Sequence, residues 1–416
     1  MLLTWAASSG LNPTLSLDFL TPVLDGRITA SGGANGTRVN SAGVIVAATC
    51  PRFDYDPVTL EPKGVLVEEA RTNWLRNSGT GGSSPGTALP TNWYFYTPLT
   101  GLTIIPVAAG TEGGAAYQDI SISGTPSGSG ALEFGFDNVN EVAAASGESW
   151  AASVYHRLAG GSLAGISAVQ LSIQEWTAAA SYVTEGSLTV ANPSSAGLVA
   201  QRVTFTRTLN GGAPTQRVQL IYRLVLSGAA VNITLRIAQP QLEKGAFPTS
   251  YIPTVGSAVT RTAGSLTMTG TNFSSWFNAS EGTFLSQYVF SNASSGIGMV
   301  YEAATDGSNN HNVFRNGTSL VASTTNGAVQ QAGFTLTDPV SSGTVYTSAY
   351  AYKVNDFAGC LNGGSVQTDI SGTLPTVNAL GLGVRPFDGS LSLNGWLRSL
   401  RYYPRRLTNA QLQVLT

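Results

Sequence analysis

The chain has 416 residues, 48 of them Gly, and a formal net charge of −2; 42% of residues are hydrophobic and only 11% charged, against roughly 25% charged in average soluble proteins. That balance leaves no basic footprint for nucleic acid, and no run of 18 apolar residues exists that could cross a membrane as a helix. The length suits two or three domains, and a surface rich in Gly, Ser and Thr suits short strands joined by tight turns rather than helices.

The opening Met1-Leu-Leu-Thr-Trp-Ala-Ala has no positive flank and only a brief apolar stretch, so no secretory leader is expected. Residues 1–78 read as an irregular N-terminal region with a few short strands. Within it, Cys50-Pro-Arg-Phe-Asp-Tyr-Asp-Pro is a turn feeding the apolar strand at Gly64-Val-Leu-Val-Glu-Glu. Adjacent residues on a strand face opposite ways, so Glu68 and Glu69 cannot act as a catalytic pair. The expectation is that one of them, with Arg71 or Asn73, pins this region through charge-assisted hydrogen bonds. Asn77-Ser-Gly-Thr-Gly-Gly-Ser-Ser-Pro-Gly is the lowest-complexity stretch and reads as a flexible first boundary.

Residues 79–262 form the first predicted β-sandwich. Ala131-Leu-Glu-Phe-Gly-Phe, Ala168-Val-Gln-Leu-Ser-Ile and Val218-Gln-Leu-Ile-Tyr alternate apolar with polar side chains, the mark of antiparallel strands with one buried face. Pro248-Thr-Ser-Tyr-Ile-Pro-Thr is a second boundary. Residues 263–416 then form a second sandwich, with strands such as Gly282-Thr-Phe-Leu-Ser-Gln-Tyr and Thr344-Val-Tyr-Thr-Ser-Ala-Tyr-Ala-Tyr. The one helix expected begins at Thr408, an N-cap with Gln411 at the capping-box position, and Leu412 and Leu415 would pack on the sheet. The fold class is therefore all-β: two antiparallel sandwiches behind a short N-terminal region. Cys50 and Cys360 are too far apart in sequence to suggest a disulfide framework and read as two free thiols, as in a protein made in a reducing cytoplasm and released by lysis.

Gly64-Val-Leu-Val-Glu-Glu-Ala-Arg-Thr-Asn-Trp-Leu, with Phe53-Asp-Tyr-Asp-Pro upstream, resembles a signature found in many phage and prophage structural proteins. The middle block, closing with Pro240-Gln-Leu-Glu-Lys-Gly-Ala-Phe-Pro-Thr-Ser-Tyr-Ile-Pro-Thr, looks like the carbohydrate-binding-module-like jelly roll of those proteins. The last block, through Leu361-Asn-Gly-Gly and Leu393-Asn-Gly-Trp-Leu-Arg-Ser-Leu, resembles a concanavalin A-like or laminin-G-like sandwich. The resemblance implies a virion component: a head fibre or spike, a decoration protein or a tail-associated protein. Its partners would be other virion proteins and copies of itself, with a trimer as the expected form and a host-surface glycan as ligand. It also implies that the segment holding Glu68, Glu69, Arg71 and Asn73 attaches to the particle.

Four chemistries are open to these residues. Glycan hydrolysis needs two carboxylates roughly 5 to 9 Å apart in one cleft. Glu133, Asp137 and Glu141 share parity, but Asp137-Asn-Val-Asn reads as a turn, so no catalytic residue is assigned; a polysaccharide depolymerase or glycanase is the rival reading. The two histidines, His156 and His311, lack a presented nucleophile and read as ordinary surface or sheet residues. Lectin-like sandwiches can bind calcium through loop oxygens, which makes Asp306, Asn309, Asn310 and Asp356 the candidate ligands; the expectation otherwise is no cofactor. Sugars stack on aromatic rings, so Trp93, Tyr96 and Trp176 in the first sandwich and Trp396 and Tyr402 in the second are the candidate glycan platforms. The competing reading makes such rings core, as the shared face of Tyr350 and Tyr352 suggests.

Overall fold

A computed structural model describes residues 11–212, 214–292 and 296–416; the opening segment Met1 to Ala7 lies outside them. The chain forms two antiparallel β-sandwiches, but they do not follow one another: the first is inserted into the second.

The outer sandwich has an eight-stranded and a seven-stranded sheet, and the N-terminal strands belong to both. Leu15–Asp18 pairs with Ser399–Tyr402, and Val65–Val67 pairs with Gly395–Leu397 along the same edge of one C-terminal strand. Thr29–Gly32 pairs with Gly264–Thr267 in the other sheet. The separate N-terminal region expected over residues 1–78 is therefore corrected. Short strands with one apolar face need a neighbour to cover it, and Leu15, Leu17, Phe19, Val65 and Val67 are buried in the core of the C-terminal sandwich. That core is aromatic: Phe284, Tyr288, Tyr350, Tyr352 and Tyr402 pack against Val300, Tyr301 and Leu380. Each such side chain contributes roughly 1.5–3 kcal/mol by leaving water.

The inserted sandwich has two five-stranded sheets. Its back sheet runs in the order Arg202–Thr208, Ser149–Gly161, Val231–Lys244, Ala115–Gly124, Leu102–Glu112. Its front sheet runs Tyr182–Thr189, Ile166–Trp176, Arg217–Leu226, Gly130–Gly135, Tyr94–Tyr96. Leu132, Phe134, Leu171, Ile173, Leu220 and Leu224 of the front sheet meet Ile120, Ile122, Leu235 and Ile237 of the back sheet in a core of its own.

The chain leaves the outer sandwich after Val67 and re-enters it at Gly264, and the two crossings pair as a neck, Arg71–Asn73 against Val259–Arg261. Glu68 is buried there, with Arg52 at 2.8 Å and Arg261 at 3.2 Å, and accepts from the Ser250 amide and hydroxyl at 2.8 and 2.7 Å. Burial opposes ionisation, yet Arg261, Arg52 and Ser250 hold the Glu68 carboxyl down to about 2. Glu69 pairs with Arg71 at 2.6 Å and accepts from Asn394 at 3.0 Å. Arg71 also donates to the Lys244 carbonyl at 2.5 Å, across Gly245, where any Cβ would overlap the guanidinium. Asn73 donates to the Ile252 carbonyl at 3.0 Å and accepts from the Leu242 amide at 3.2 Å. The low-complexity stretch after it is tied down as well: Asn77 donates to the Gly81 and Thr91 carbonyls, and its own carbonyl accepts from Trp93 Nε1 at 2.8 Å.

Helix Asn409–Leu415 starts at Thr408 with the full capping box shared with Gln411. Leu412 and Leu415 cover Leu285, Ala349, Ala351, Ala358 and Cys360 on the outer face of the eight-stranded sheet. Cys50 and Cys360 are both free.

Candidate functional site

Strand alternation that buries Leu132, Phe134, Leu171, Ile173 and Leu220 sends the residues between them to the outer face of the front sheet. The pairings then bring polar and aromatic side chains into rows: Glu133 lies opposite Tyr96 and Arg223, and Gln174 lies opposite Gln219 and Glu185. Trp176 lies opposite Tyr182. Among the described residues no α-helix packs on this face as the C-terminal helix packs on the other sandwich. The result is an open groove of ≈ 850 Å³ whose walls include Tyr94, Tyr96, Trp176 and Tyr182, with Gln174, Gln219, Glu133 and Asn138 between them.

Each aromatic is placed by a local cause. The Tyr94 ring lies flat across Gly135, where a Cβ would come within 2.3 Å of it, so only glycine at 135 leaves room. Burial pushes the Tyr94 hydroxyl up to about 12, so it stays protonated and bonds Gln219. Trp176 meets Tyr182 edge to face at 5.4 Å, and among the described residues its buried indole N–H has no acceptor. Tyr96 and Tyr182 stand exposed.

The floor is polar, with two arginines shared among four carboxylates. Arg223 Nε donates to Glu133 at 2.8 Å, and its two terminal nitrogens donate to Glu185 at 2.8 Å each. Although burial acts against it, Arg223 keeps the Glu185 carboxyl below the usual carboxylate range. Gln219 donates to the Asp137 carbonyl at 2.7 Å and Gln174 to Glu185 at 3.2 Å, which orients both amides. At one end Arg76 donates to Asp137 and pairs with Glu141 at 3.1 Å. Glu133 thus belongs to Arg223 while Asp137 and Glu141 share Arg76; the trio faces no common water-filled cleft as an acid and base would require.

The sequence-predicted platforms divide. Trp176 and Tyr96 are in the groove. Trp93 touches it but is buried, edge-on to Phe136 at 4.9 Å, and serves as core. Tyr402 is fully buried among Trp276, Phe284 and Tyr352, with its hydroxyl bonded to Tyr352 at 2.7 Å, so it is no platform. Trp396 lies at the junction of the two sandwiches, its indole N–H on Asp54 at 2.8 Å. Tyr94, Tyr182, Gln174 and Gln219 were missed. Parity carried the signal: in Trp93-Tyr94-Phe95-Tyr96, Tyr94 shares the face of Tyr96 and Trp93 cannot.

The other candidates have structural partners. Glu68, Arg71 and Asn73 are buried in the neck, so their side chains cannot be the surface that meets a particle. Asp306 and Asn309 form a hairpin turn: Asp306 accepts from the Ser308 amide and Asn309, and Asn309 accepts from the Gly327 amide. Asn310 accepts from Asn312. Asp356, on the other sheet, pairs with Arg406 at 3.0 Å. The four therefore do not converge on one ion, and no group of three His, Cys, Asp or Glu that could hold a metal exists among the described residues. His156 and His311 are buried rather than at the surface: His156 bonds the Tyr222 hydroxyl at 2.8 Å, and His311 stacks on Tyr352 at 4.1 Å.

No protein-family model and no curated protein sequence matches the chain. Among solved structures, the CBM40 of Ruminococcus gnavus IT-sialidase bound to alpha2,3 sialyllactose is 14% identical over 35% of this chain and 86% of its own length, with a TM-score of 0.31. The receptor binding domain of botulinum neurotoxin mosaic serotype C/D is 9% identical over 36% of this chain and 39% of that one, with a TM-score of 0.30. A Trypanosoma rangeli sialidase in complex with 2,3-difluorosialic acid is 13% identical over 36% of this chain and 26% of that one, with a TM-score of 0.29.

Proposed function

We propose that the inserted sandwich is a non-catalytic glycan-binding module, and that the chain is a structural component of a phage-type particle that carries it. The observation behind the first part is the row of Tyr94, Tyr96, Trp176 and Tyr182 on one uncovered sheet face, with the oriented amides of Gln174 and Gln219 between them. Aromatic faces take the C–H side of a sugar ring, and amides and carboxylates take its hydroxyls. Because Glu133, Glu185, Asp137 and Glu141 outnumber Arg223 and Arg76, the groove is net negative and suits an extended neutral polysaccharide segment over an acidic one. Its carboxylates act as acceptors held in ion pairs, which supports binding over cleavage.

The second part rests on the Gly64–Leu75 signature. In a particle, many copies would add avidity to a weak single site. The chain would be made in the host cytoplasm and leave by lysis. With Glu68, Arg71 and Asn73 occupied in the neck, attachment to capsid or tail falls to another surface of the outer sandwich.

A glycan array probed with the whole chain in multimeric form tests the binding. The expected result is retention of a neutral polysaccharide by the native chain and its loss in Trp176→Ala. No retention of any glycan would overturn the reading, and so would shortening of the bound polysaccharide that stops in Glu133→Gln. Particle membership is checked by co-sedimentation of the chain with particles from a lysate, expected at a fixed stoichiometry; its absence from purified particles would remove that half.

A further inference from the structure

A second concavity lies where the two sandwiches meet, a cavity of ≈ 310 Å³ lined by Arg38, Asp54 and Lys63 from the N-terminal strands, Trp396 from the outer sandwich, and Tyr155 and Arg202 from the back sheet. The whole chain has 21 Lys and Arg, yet Arg38, Lys63 and Arg202 line this one space, with Arg52 and Arg261 behind it. The lining carboxylates are already engaged. Glu68 belongs to Arg52 and Arg261. Asp54 accepts from Trp396 Nε1 at 2.8 Å through one oxygen and from the Val39 amide at 2.7 Å through the other.

Arg38 and Arg202 have only neutral hydrogen-bond partners among the described residues, while Lys63 feels the Asp54, Asp56 and Glu68 carboxylates without an ion pair to any of them, and the five cations here outnumber the lining carboxylates Asp54 and Glu68. Arg38 donates to the Phe53 carbonyl at 3.0 Å, and Arg202 donates to the Ser153 hydroxyl and Thr249 carbonyl at 2.7 Å each. Lys63 Nζ sits 3.5 Å above the Trp396 ring. Arg202 Nε and Arg52 Nη2 are buried without an acceptor. A half-buried cation that lacks a counter-charge is costly in a low-dielectric site, and burial already lowers the Lys63 ammonium below its usual range.

We infer that this cavity binds a carboxylate-bearing molecule of monosaccharide size, a hexuronate being the chemistry that fits. The carboxylate faces Lys63 and Arg202, which lie over the rings of Trp396 and Tyr155. A volume of this order is at the small end of ligand sites and holds about one sugar ring. The inference is independent of the groove, whose carboxylates outnumber its arginines and which lies on the other sheet of the inserted sandwich.

Calorimetric titration of the whole chain with glucuronate, glucose and acetate tests it. Glucuronate is expected to bind saturably, with glucose and acetate at least tenfold weaker. Lys63→Met, which keeps the stem over Trp396, and Arg202→Gln are each expected to weaken glucuronate at least tenfold, while Trp176→Ala leaves it unchanged. Should Lys63→Met fail to fold, Arg202→Gln gives the same reading. Absence of saturable glucuronate binding would overturn the inference. Equal binding of acetate would reduce the site to a bare anion hole, and loss in Trp176→Ala would move the ligand to the groove; either result also overturns it.

Discussion

On the front sheet of the inserted sandwich, Tyr96 and Tyr182 stand exposed, with Trp176 and Tyr94 half-buried beside the buried amides of Gln174 and Gln219. On the eight-stranded sheet of the outer sandwich, the corresponding outward positions are Ala349, Ala351 and Ala358, and the C-terminal helix lies across them. The same contrast runs through the interiors. The outer sandwich turns its tyrosines inward, with Tyr288, Tyr350, Tyr352 and Tyr402 all buried, and the inserted one has a mainly aliphatic core that takes in Trp93, Phe134, Phe136, Trp150 and Tyr222 but leaves Tyr96 and Tyr182 outside. Two sandwiches built from similar residues are therefore assigned different work by strand parity. One supplies a frame, with its open face closed by a helix, and the other presents a face.

The largest expected effect breaks the connection between them. Glu68→Ala leaves Arg52 and Arg261 buried without their carboxylate, which is expected to cost about 3–5 kcal/mol. Denaturant unfolding followed by tryptophan fluorescence should show both sandwiches destabilised, because the neck draws on strands of each. A shift confined to one transition would show that the sandwiches stand independently.

Acid separates them next. Burial holds His156, in the inserted sandwich, down to about 4 and His311, in the outer one, down to about 3. Each is neutral when folded and takes a proton on unfolding below about 6.5, so the stability it confers at neutral pH is lost as pH falls from there. The outer sandwich also contains Glu302, fully buried, whose carboxyl burial pushes up to about 7. That group acts in the opposite sense, favouring the fold as pH falls from 7 towards 4.5. Between pH 6.5 and 4.5 the inserted sandwich should lose about 2 kcal/mol, and in the outer one the two effects offset each other. Region-resolved hydrogen exchange at the two pH values checks this. In His156→Gln the loss should disappear, and in Glu302→Gln the outer sandwich should become acid-sensitive.

A smaller energy decides function. Trp176→Ala should weaken glycan binding by about 2 kcal/mol, some thirtyfold, as a central aromatic does. The melting temperature should barely move, because the ring lies outside the core. Tyr402→Ala should do the reverse, losing about 3–5 kcal/mol of stability with native affinity in whatever remains folded. If the two substitutions behave alike, the distinction between frame and face fails.

Much of this was legible in the sequence. Alternation in Ala131-Leu-Glu-Phe and Val218-Gln-Leu-Ile specified strands and which residues they bury. The insertion was not legible, because nothing local to Leu15–Asp18 says that its partner is Ser399–Tyr402. The same gap hid the role of the Gly64–Leu75 segment, whose polar residues find their partners in Arg52, Ser250, Arg261 and Asn394, far away in the chain. At the groove, choosing Trp93 with Tyr96 overrode the parity that pairs Tyr94 with Tyr96. Gln174 and Gln219 carry no composition signal at all, since only the register between their strands makes them neighbours.

The smallest prediction bears on why the outer sandwich has no open face. The Thr408 side chain accepts from the Gln411 amide and the Gln411 side chain accepts from the Thr408 amide. Thr408→Ala removes the first of these bonds and is expected to cost about 1 kcal/mol. The helix has only seven residues, too few to persist without its packing and its cap. The loss should therefore appear as local opening before any global change, with faster exchange at Leu412 and at the Ala349 and Ala351 amides. Even when opened, that face presents alanines with a single ring, Tyr403, in place of a row of rings, so glycan binding by the double variant Thr408→Ala, Trp176→Ala should stay lost. Recovery of binding in the double variant would mean that the helix hides a second glycan face, and the contrast between the two sheets would then be one of covering alone.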